Sequence, residues 1–268
     1  MEFLLLGYYI LVTARPSQWI KNFVVFIPVL FSFNESWTFQ GNDNLYSLFL
    51  NAILILMAFT FITISVYCVN DIFDRENDQE HPFKKHRPIA SGDLPVLSAI
   101  WISLFFMILS LLITFCIDWV LSLSLLFYFL LMIGYSYKLK EIIFVDAISI
   151  SLGFVIRVIA GAIAIDVPIS TWLCLCMILG ALFISVSKRF SEIWVNNETF
   201  LYQRSVLKHY SRLKKNVSIF ILAIIMLSTI CVYFLYRAES IVNFLRVSSE
   251  INSYKLKLCL KKEKLTNI

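Results

Sequence analysis

The sequence predicts an all-α protein: a polytopic bundle of transmembrane helices. Composition, segment length and loop charge carry that prediction. Hydrophobic residues make up 59% of the 268 residues and charged ones 15%, against about 25% charged in an ordinary soluble domain. Seven apolar runs approach the length that crosses a bilayer. The charges between those runs alternate in sign.

A bilayer core takes about 20 apolar residues per helix. The candidate spans are residues 17–34, 45–69, 97–117, 119–135, 142–165, 169–186 and 217–236. The first contains Lys21, Asn22 and Pro28, so a tilted or broken helix is expected. Residues 3–12 ahead of it are apolar, with no positive stretch before them and no small-residue cleavage site after; an interfacial helix fits better than a secretory signal. One set of loops is acidic or bare: Glu35 and Asp43, then Asp118, then Asp166. The other carries Lys84, Lys85 and Arg87, then Lys138 and Lys140, then Lys188, Arg189, Arg204, Lys208, Arg212, Lys214 and Lys215. The positive-inside rule makes the basic set cytoplasmic, and Arg15 and Lys21 place the N-terminus with it.

The last residues break this pattern. Lys255, Lys257, Lys261, Lys262 and Lys264 follow a modest apolar stretch, and seven spans leave them on the wrong side of the rule. An eighth poor span over 241–260, a tail on the surface, and missing natural C-terminal helices all stay open. Residues 1–240 read as one transmembrane domain and 241–268 as an atypical basic tail. The six cysteines form no C-x-x-C pair, so neither zinc nor a disulfide framework is indicated. Net charge is +5, but no basic face interleaved with exposed aromatics suits nucleic acid.

The chemistry concentrates in Asn70-Asp71-Ile-Phe-Asp74-Arg-Glu-Asn-Asp78, which extends the second span past its cytoplasmic boundary. In a continuing helix, Asp71, Asp74 and Asp78 sit at about 0°, 300° and 340°, on one face. Carboxylates so close repel unless a cation lies among them. Oxygen ligands without Cys or His suit Mg²⁺ or Mn²⁺, and Mg²⁺ completes its shell with waters and substrate phosphates. The run His81-Pro-Phe-Lys84-Lys85-His86-Arg87-Pro follows at once. Lys84 and Arg87 suit phosphate oxygens, although basic residues here also serve as plain topology signals.

A second candidate site lies on the fifth span. Asp146 and Arg157 are separated by 11 residues, about 20° off one helical face. At about 16 Å of axial separation they cannot meet, so each needs another partner. A charge inside a span generally faces the bundle interior and marks function. Ser149, Gly153, Ala160 and Ala164 lie near the same stripe, where small residues admit a neighbouring helix. Tyr135 and Lys140 precede this span, and Lys188 and Arg189 end the sixth.

Together these residues resemble the UbiA prenyltransferase superfamily, a nine-helix membrane fold with an N-D-x-x-D-x-x-x-D motif after the second helix. Asn70, Asp71, Asp74 and Asp78 match that motif, and Asp146 stands where the second Asp-containing motif falls. Arg15-Pro-Ser-Gln-Trp19-Ile-Lys21-Asn22, His81 through Gly92, Tyr135-Ser136 with Leu139-Lys140, Arg157-x-x-x-Gly161 and Gly180 through Arg189 are similar to one branch, the decaprenyl-phosphate phosphoribosyltransferases. The resemblance covers about residues 13 to 215. It implies transfer of a 5-phosphoribosyl group from phosphoribosyl diphosphate to a polyprenyl phosphate, in a bacterial plasma membrane with the site facing the cytoplasm. It also implies Mg²⁺ held by Asp71, Asp74 and Asp78, with Asn70 assisting and Asp146 among the catalytic residues. Lys21, Asn22, Lys84, Arg87, Tyr135, Lys140 and Arg157 are then expected on phosphate or ribose, and Lys188 and Arg189 on the lipid phosphate. The last two hydrophobic helices of the family are not legible past Tyr236.

Three other readings compete. An aromatic prenyltransferase of the same superfamily would use the acidic motif for a prenyl diphosphate. A cation transporter would need acids near mid-membrane on several spans, where this chain lacks them. An inactive remnant would keep the motifs without turnover.

Overall fold

A computed structural model describes residues 2–32, 45–168, 171–195 and 215–266. All regular structure among the described residues is helical. The order is α1 (Glu2–Ala14), a 3₁₀ segment (Pro16–Phe26), α2 (Ile27–Phe31), α3 (Leu45–Phe73), α4 (Arg75–Glu80), a 3₁₀ turn (Lys84–His86), α5 (Pro88–Ser91), α6 (Val96–Ile117), α7 (Trp119–Tyr137), a 3₁₀ turn (Leu139–Glu141), α8 (Val145–Ala164), α9 (Thr171–Val195) and α10 (Lys215–Thr266).

Among the described residues, six helices are long and apolar enough to cross a membrane: Leu45–Phe73, Val96–Ile117, Trp119–Tyr137, Val145–Ala164, Thr171–Ser191 and Asn216–Glu239. They correspond to the second through seventh expected spans. The first expected span is broken. Arg15 takes a left-handed backbone (φ 49°), Pro16 opens the 3₁₀ segment, and Pro28 stands at the start of the five-residue α2. Past Tyr236 the chain makes no turn, and α10 runs on through the region where an eighth span was one option. Glu35, Asp43, Arg204, Lys208, Arg212 and Lys214 lie outside the described residues.

Burial ranks the helices. Two thirds (67%) of the most apolar stretch of α8 is buried, and 56% of that of α3, against 17% for α6 and 6% for α10. Helices α3 and α8 are therefore central. Ile55, Ala58, Phe59 and Ile62 of α3 meet Leu121, Leu125 and Tyr128 of α7, Ile156 and Ala160 of α8, and Val25. Trp101, Phe105, Ile108 and Leu112 of α6 face outward, as do Phe220, Leu227 and Phe234 of α10; these are lipid-facing positions.

Lipid supplies no hydrophobic drive between helices, so small residues and interhelical hydrogen bonds hold them. Ser65 and Ser103 lock α3 to α6: the Ser65 Oγ donates to the Ser103 carbonyl at 2.8 Å, and the Ser103 Oγ donates back at 3.2 Å. Ser110 Oγ donates to the Ala58 carbonyl at 2.8 Å. Asn51 Nδ2 donates to the Ala164 carbonyl at 3.0 Å, satisfying a group left over at the end of α8. At the α6–α7 turn, Asp118 caps α7 by accepting from the Val120 N–H at 2.6 Å.

One glycine fixes how the broken segment seats. A Cβ on Gly161 would stand 2.2 Å from the Val25 carbonyl oxygen. Only glycine lets that backbone lie directly on α8.

Candidate active site

The carboxylates gather where α3 ends. Asp74 N–H donates to the Asn70 carbonyl at 2.9 Å and Asp78 N–H to the Asp74 carbonyl at 2.8 Å, so helical bonding carries across the junction into α4. Asp71 and Asp78, two turns apart, converge on one guanidinium. Arg87 Nη1 donates to Asp71 Oδ1 at 3.2 Å and to Asp78 Oδ2 at 2.6 Å. Both acids are buried. The Arg15 guanidinium also pairs with Asp71, and Lys84 Nζ lies 4.0 Å from Asp78 Oδ1.

Asp74 takes different partners. Its carboxylate accepts from Asn70 Nδ2 at 3.1 Å and pairs with Lys140. It lies about 60° around the axis from Asp71, enough to give it a different cation. Ser136 Oγ donates to Asn70 Oδ1 at 3.1 Å, which ties the end of α7 to the end of α3.

Local structure aims these cations. The His81 Nδ1 accepts from the Phe83 and Lys84 N–H groups at 3.1 and 3.2 Å. Arg87 precedes Pro88, the first residue of α5, and its extended backbone (φ −67°, ψ 140°) projects the side chain back over α3 and α4. Gly92 ends α5 at φ 90°, a conformation that favours glycine. Arg15 lies over the Tyr67 ring, 4.8 Å from its centroid, a favourable seat for a cation. Lys140 stands on the 3₁₀ turn between α7 and α8.

Asp146 and Arg157 find separate partners. Asp146 is fully buried, and Arg189 Nε donates to its Oδ2 at 2.6 Å. Arg189 Nη2 also reaches the Tyr135 hydroxyl at 3.5 Å. Phe144, two residues earlier, holds φ 64°, a strained conformation for a bulky side chain. Arg157 donates from Nε to Asn22 Oδ1 at 3.0 Å, from Nη1 to the Gly153 carbonyl at 2.8 Å and from Nη2 to the Tyr128 hydroxyl at 2.8 Å. Rings of Phe59, Tyr128 and Phe154 surround it. Asn22 is itself buried, with Thr63 Oγ1 donating to its Oδ1 at 3.4 Å. Lys21, exposed on the same segment, has Lys188, Arg157 and Arg15 as its electrostatic neighbours.

The structure thus joins Asn70, Asp71, Asp74, Asp78, Lys84, Arg87 and Lys140 in one network, with Arg189, Asp146 and Tyr135 in a second. Arg157 and Asn22 form a third, and Lys21 with Lys188 a loose cationic group. Sequence reasoning missed Arg15 on Asp71, Ser136 on Asn70 and Tyr128 on Arg157. The signal for Arg15 was its place in the Arg-Pro pair opening the first membrane segment; the other two pairings have none.

The donors suit a hard divalent ion in type, being oxygens only. That Asp71 and Asp78 share one cationic nitrogen shows that a single positive centre can bridge them. Among the described residues no three acidic or imidazole side chains gather closely enough to hold an ion alone. An ion here would need phosphate oxygens or water for the rest of its shell, as Mg²⁺ usually does.

Fold and site together define a polytopic α-helical membrane protein with a charged, carboxylate-centred site at one end of the bundle. The chain belongs to the UbiA prenyltransferase family, which it matches over residues 25–245. It is 31% identical over 198 residues to the decaprenyl-phosphate phosphoribosyltransferase of Mycolicibacterium smegmatis, covering 74% of this chain and 61% of that protein. It is 31% identical over 201 residues to the Corynebacterium glutamicum protein of the same name, covering 74% and 58%. The chain thus spans about three fifths of the length of these relatives. A UbiA homolog from Archaeoglobus fulgidus, solved bound to DMAPP and Mg²⁺, shares the fold with a TM-score of 0.69 at 18% identity, over 84% of this chain and 76% of that one.

Proposed function

We propose that this chain transfers a 5-phosphoribosyl group from phosphoribosyl diphosphate to a polyprenyl phosphate and releases diphosphate, with Mg²⁺ as cofactor. The carrying observation is that Arg15, Lys84, Arg87 and Lys140 all lie on Asp71, Asp74 and Asp78. So much phosphate-binding charge suits a donor bearing a diphosphate and a further phosphate. The names of the relatives support the same donor and acceptor class. The second reading is a prenyl diphosphate donor with an aromatic acceptor, in keeping with the prenyltransferase family the chain matches.

Asp71 and Asp78, with Asp74 and Asn70 beside them, would hold Mg²⁺. The ion, when bound, would offset charge on the departing diphosphate. Arg87, Arg15, Lys84 and Lys140 reach the same place and would stabilise that charge as it develops. The bond from ribose C1 to the diphosphate oxygen breaks, and a bond from C1 to an oxygen of the lipid phosphate forms. That phosphate is already ionised, so no general base is needed.

Arg189 is committed to Asp146, which leaves Lys188 and Lys21 as the better candidates for the lipid phosphate. Asp146 would act by holding Arg189 and, through it, Tyr135. Arg157, enclosed by Asn22, Gly153 and Tyr128, would position the first segment rather than touch ribose. The site would face the cytoplasm of a bacterial plasma membrane, the side of the basic loops.

Replacing Asp71 and Asp74 by Asn tests the assignment. Mg²⁺-dependent turnover of phosphoribosyl diphosphate should fall at least a hundredfold, on the scale of losing electrostatic stabilisation of a transition state. Unchanged turnover would contradict it.

A further inference from the structure

We infer that Asp71, Asp74 and Asp78 are paired with the site's own Arg and Lys side chains until a metal–diphosphate enters, and that these cations are then handed from carboxylates to phosphates. This rests on the proposed metal–diphosphate reading and adds an order to it: the ion and the diphosphate enter together, and the ion alone binds poorly.

Each aspartate of the motif has a protein cation on it. Asp71 carries Arg15 and Arg87, Asp78 carries Arg87 and lies near Lys84, and Asp74 carries Lys140. Arg87 Nη1 occupies the point on which Asp71 and Asp78 converge. A divalent ion arriving alone must displace that nitrogen. It would part Arg87, which is 26% exposed, from two buried carboxylates, and separating a pair with buried members one-sidedly is unfavourable. A diphosphate removes the obstacle. Its oxygens accept from Arg87, Arg15, Lys84 and Lys140, groups whose donor geometry suits phosphate. The carboxylates are released to the ion in the same event.

Lys140 makes the idea testable, because its pair with Asp74 joins the α7–α8 turn to the end of α3. Lys138 lies two residues away, exposed, with no ion pair among the described residues. If Lys140 competes with the ion for Asp74, Lys140→Met should tighten binding of the ion alone while weakening binding of the ion with diphosphate. Simple removal of one positive charge from the loop would act equally at both lysines.

The experiment uses the purified full chain in detergent and Mn²⁺ as probe, read by electron paramagnetic resonance, with and without methylene diphosphonate. The unaltered protein should bind Mn²⁺ alone at least about tenfold more weakly than Mn²⁺ with the diphosphonate, within the ordinary range of coupling between ligands. Lys140→Met should raise affinity for Mn²⁺ alone about fivefold or more, and Lys138→Met should leave it within about twofold. Equal behaviour of the two variants, or tight binding of Mn²⁺ alone to the unaltered protein, overturns the hand-over while leaving the metal–diphosphate site standing. Binding of neither Mn²⁺ nor its diphosphonate complex to any of the three proteins overturns both.

Discussion

Arg157 donates its Nε–H to Asn22 Oδ1 across 3.0 Å, and this bond joins the broken first segment to the most buried helix of the bundle. Both residues are buried. A guanidinium held by an amide, a carbonyl and a phenol, under three aromatic rings, is placed to position a neighbour.

Arg157→Met should therefore leave Asn22 underpaired, and the two residues should be coupled. A double-mutant cycle with Asn22→Ala should show a non-additive term of about 0.5–3 kcal/mol in unfolding measured in detergent. Additive losses would show that the bond carries no energy.

The glycines of α8 offer a contrast. A Cβ at Gly161 meets the Val25 carbonyl at 2.2 Å, whereas at Gly153 the nearest atom is the flexible Met132 Cε at 3.3 Å. Gly161→Ala should displace the first segment, lowering both turnover and melting temperature. Gly153→Ala should cost about 1 kcal/mol or less, since the methionine can shift. Thermal melts of the two variants side by side check this, and equal melts would contradict it.

Asp146 and Arg189 form a buried pair at 2.6 Å. Asp146→Asn removes the buried carboxylate that Arg189 pairs with, a loss of about 3–5 kcal/mol by analogy with other buried pairs. The double variant Asp146→Leu with Arg189→Met should recover much of the stability but none of the turnover. Recovered turnover would reduce the pair to scaffolding.

Lys84 and Arg87 should differ although both touch Asp78. Lys84 is a third exposed (32%) and 4.0 Å away, while Arg87 bridges two buried acids. Lys84→Ala should change stability by about 1 kcal/mol or less, the usual scale for an exposed pair. Arg87→Ala should cost more, because it uncouples Asp71 from Asp78. Denaturation curves of the two variants, in detergent, decide between this order and its reverse.

The long helices were legible because the apolar runs are long and the loops polar. The first segment was legible as irregular, because Pro28 sits among otherwise apolar residues, but its 3₁₀ form was not. Its close seat on α8, with Gly161 opposite Val25, is a contact between residues far apart in sequence. The acidic motif could be placed on a helix end because it continues the second apolar run past its boundary. Which cation serves which aspartate could not, since the Lys140–Asp74 pair spans 66 residues and the Arg15–Asp71 pair 56. Asp146 and Arg157 were expected to need separate partners from their axial separation, and they have them, but nothing local marked Arg189 or Tyr128 as those partners.

A donor comparison on the purified protein in Mg²⁺, with product extracted into organic solvent, tests the phosphoribosyl assignment. Phosphoribosyl diphosphate with a polyprenyl phosphate should yield a phosphoribosyl lipid and free diphosphate, and an isoprenyl diphosphate with a phenolic acceptor should yield nothing. Turnover with the isoprenyl donor alone would contradict phosphoribosyl transfer.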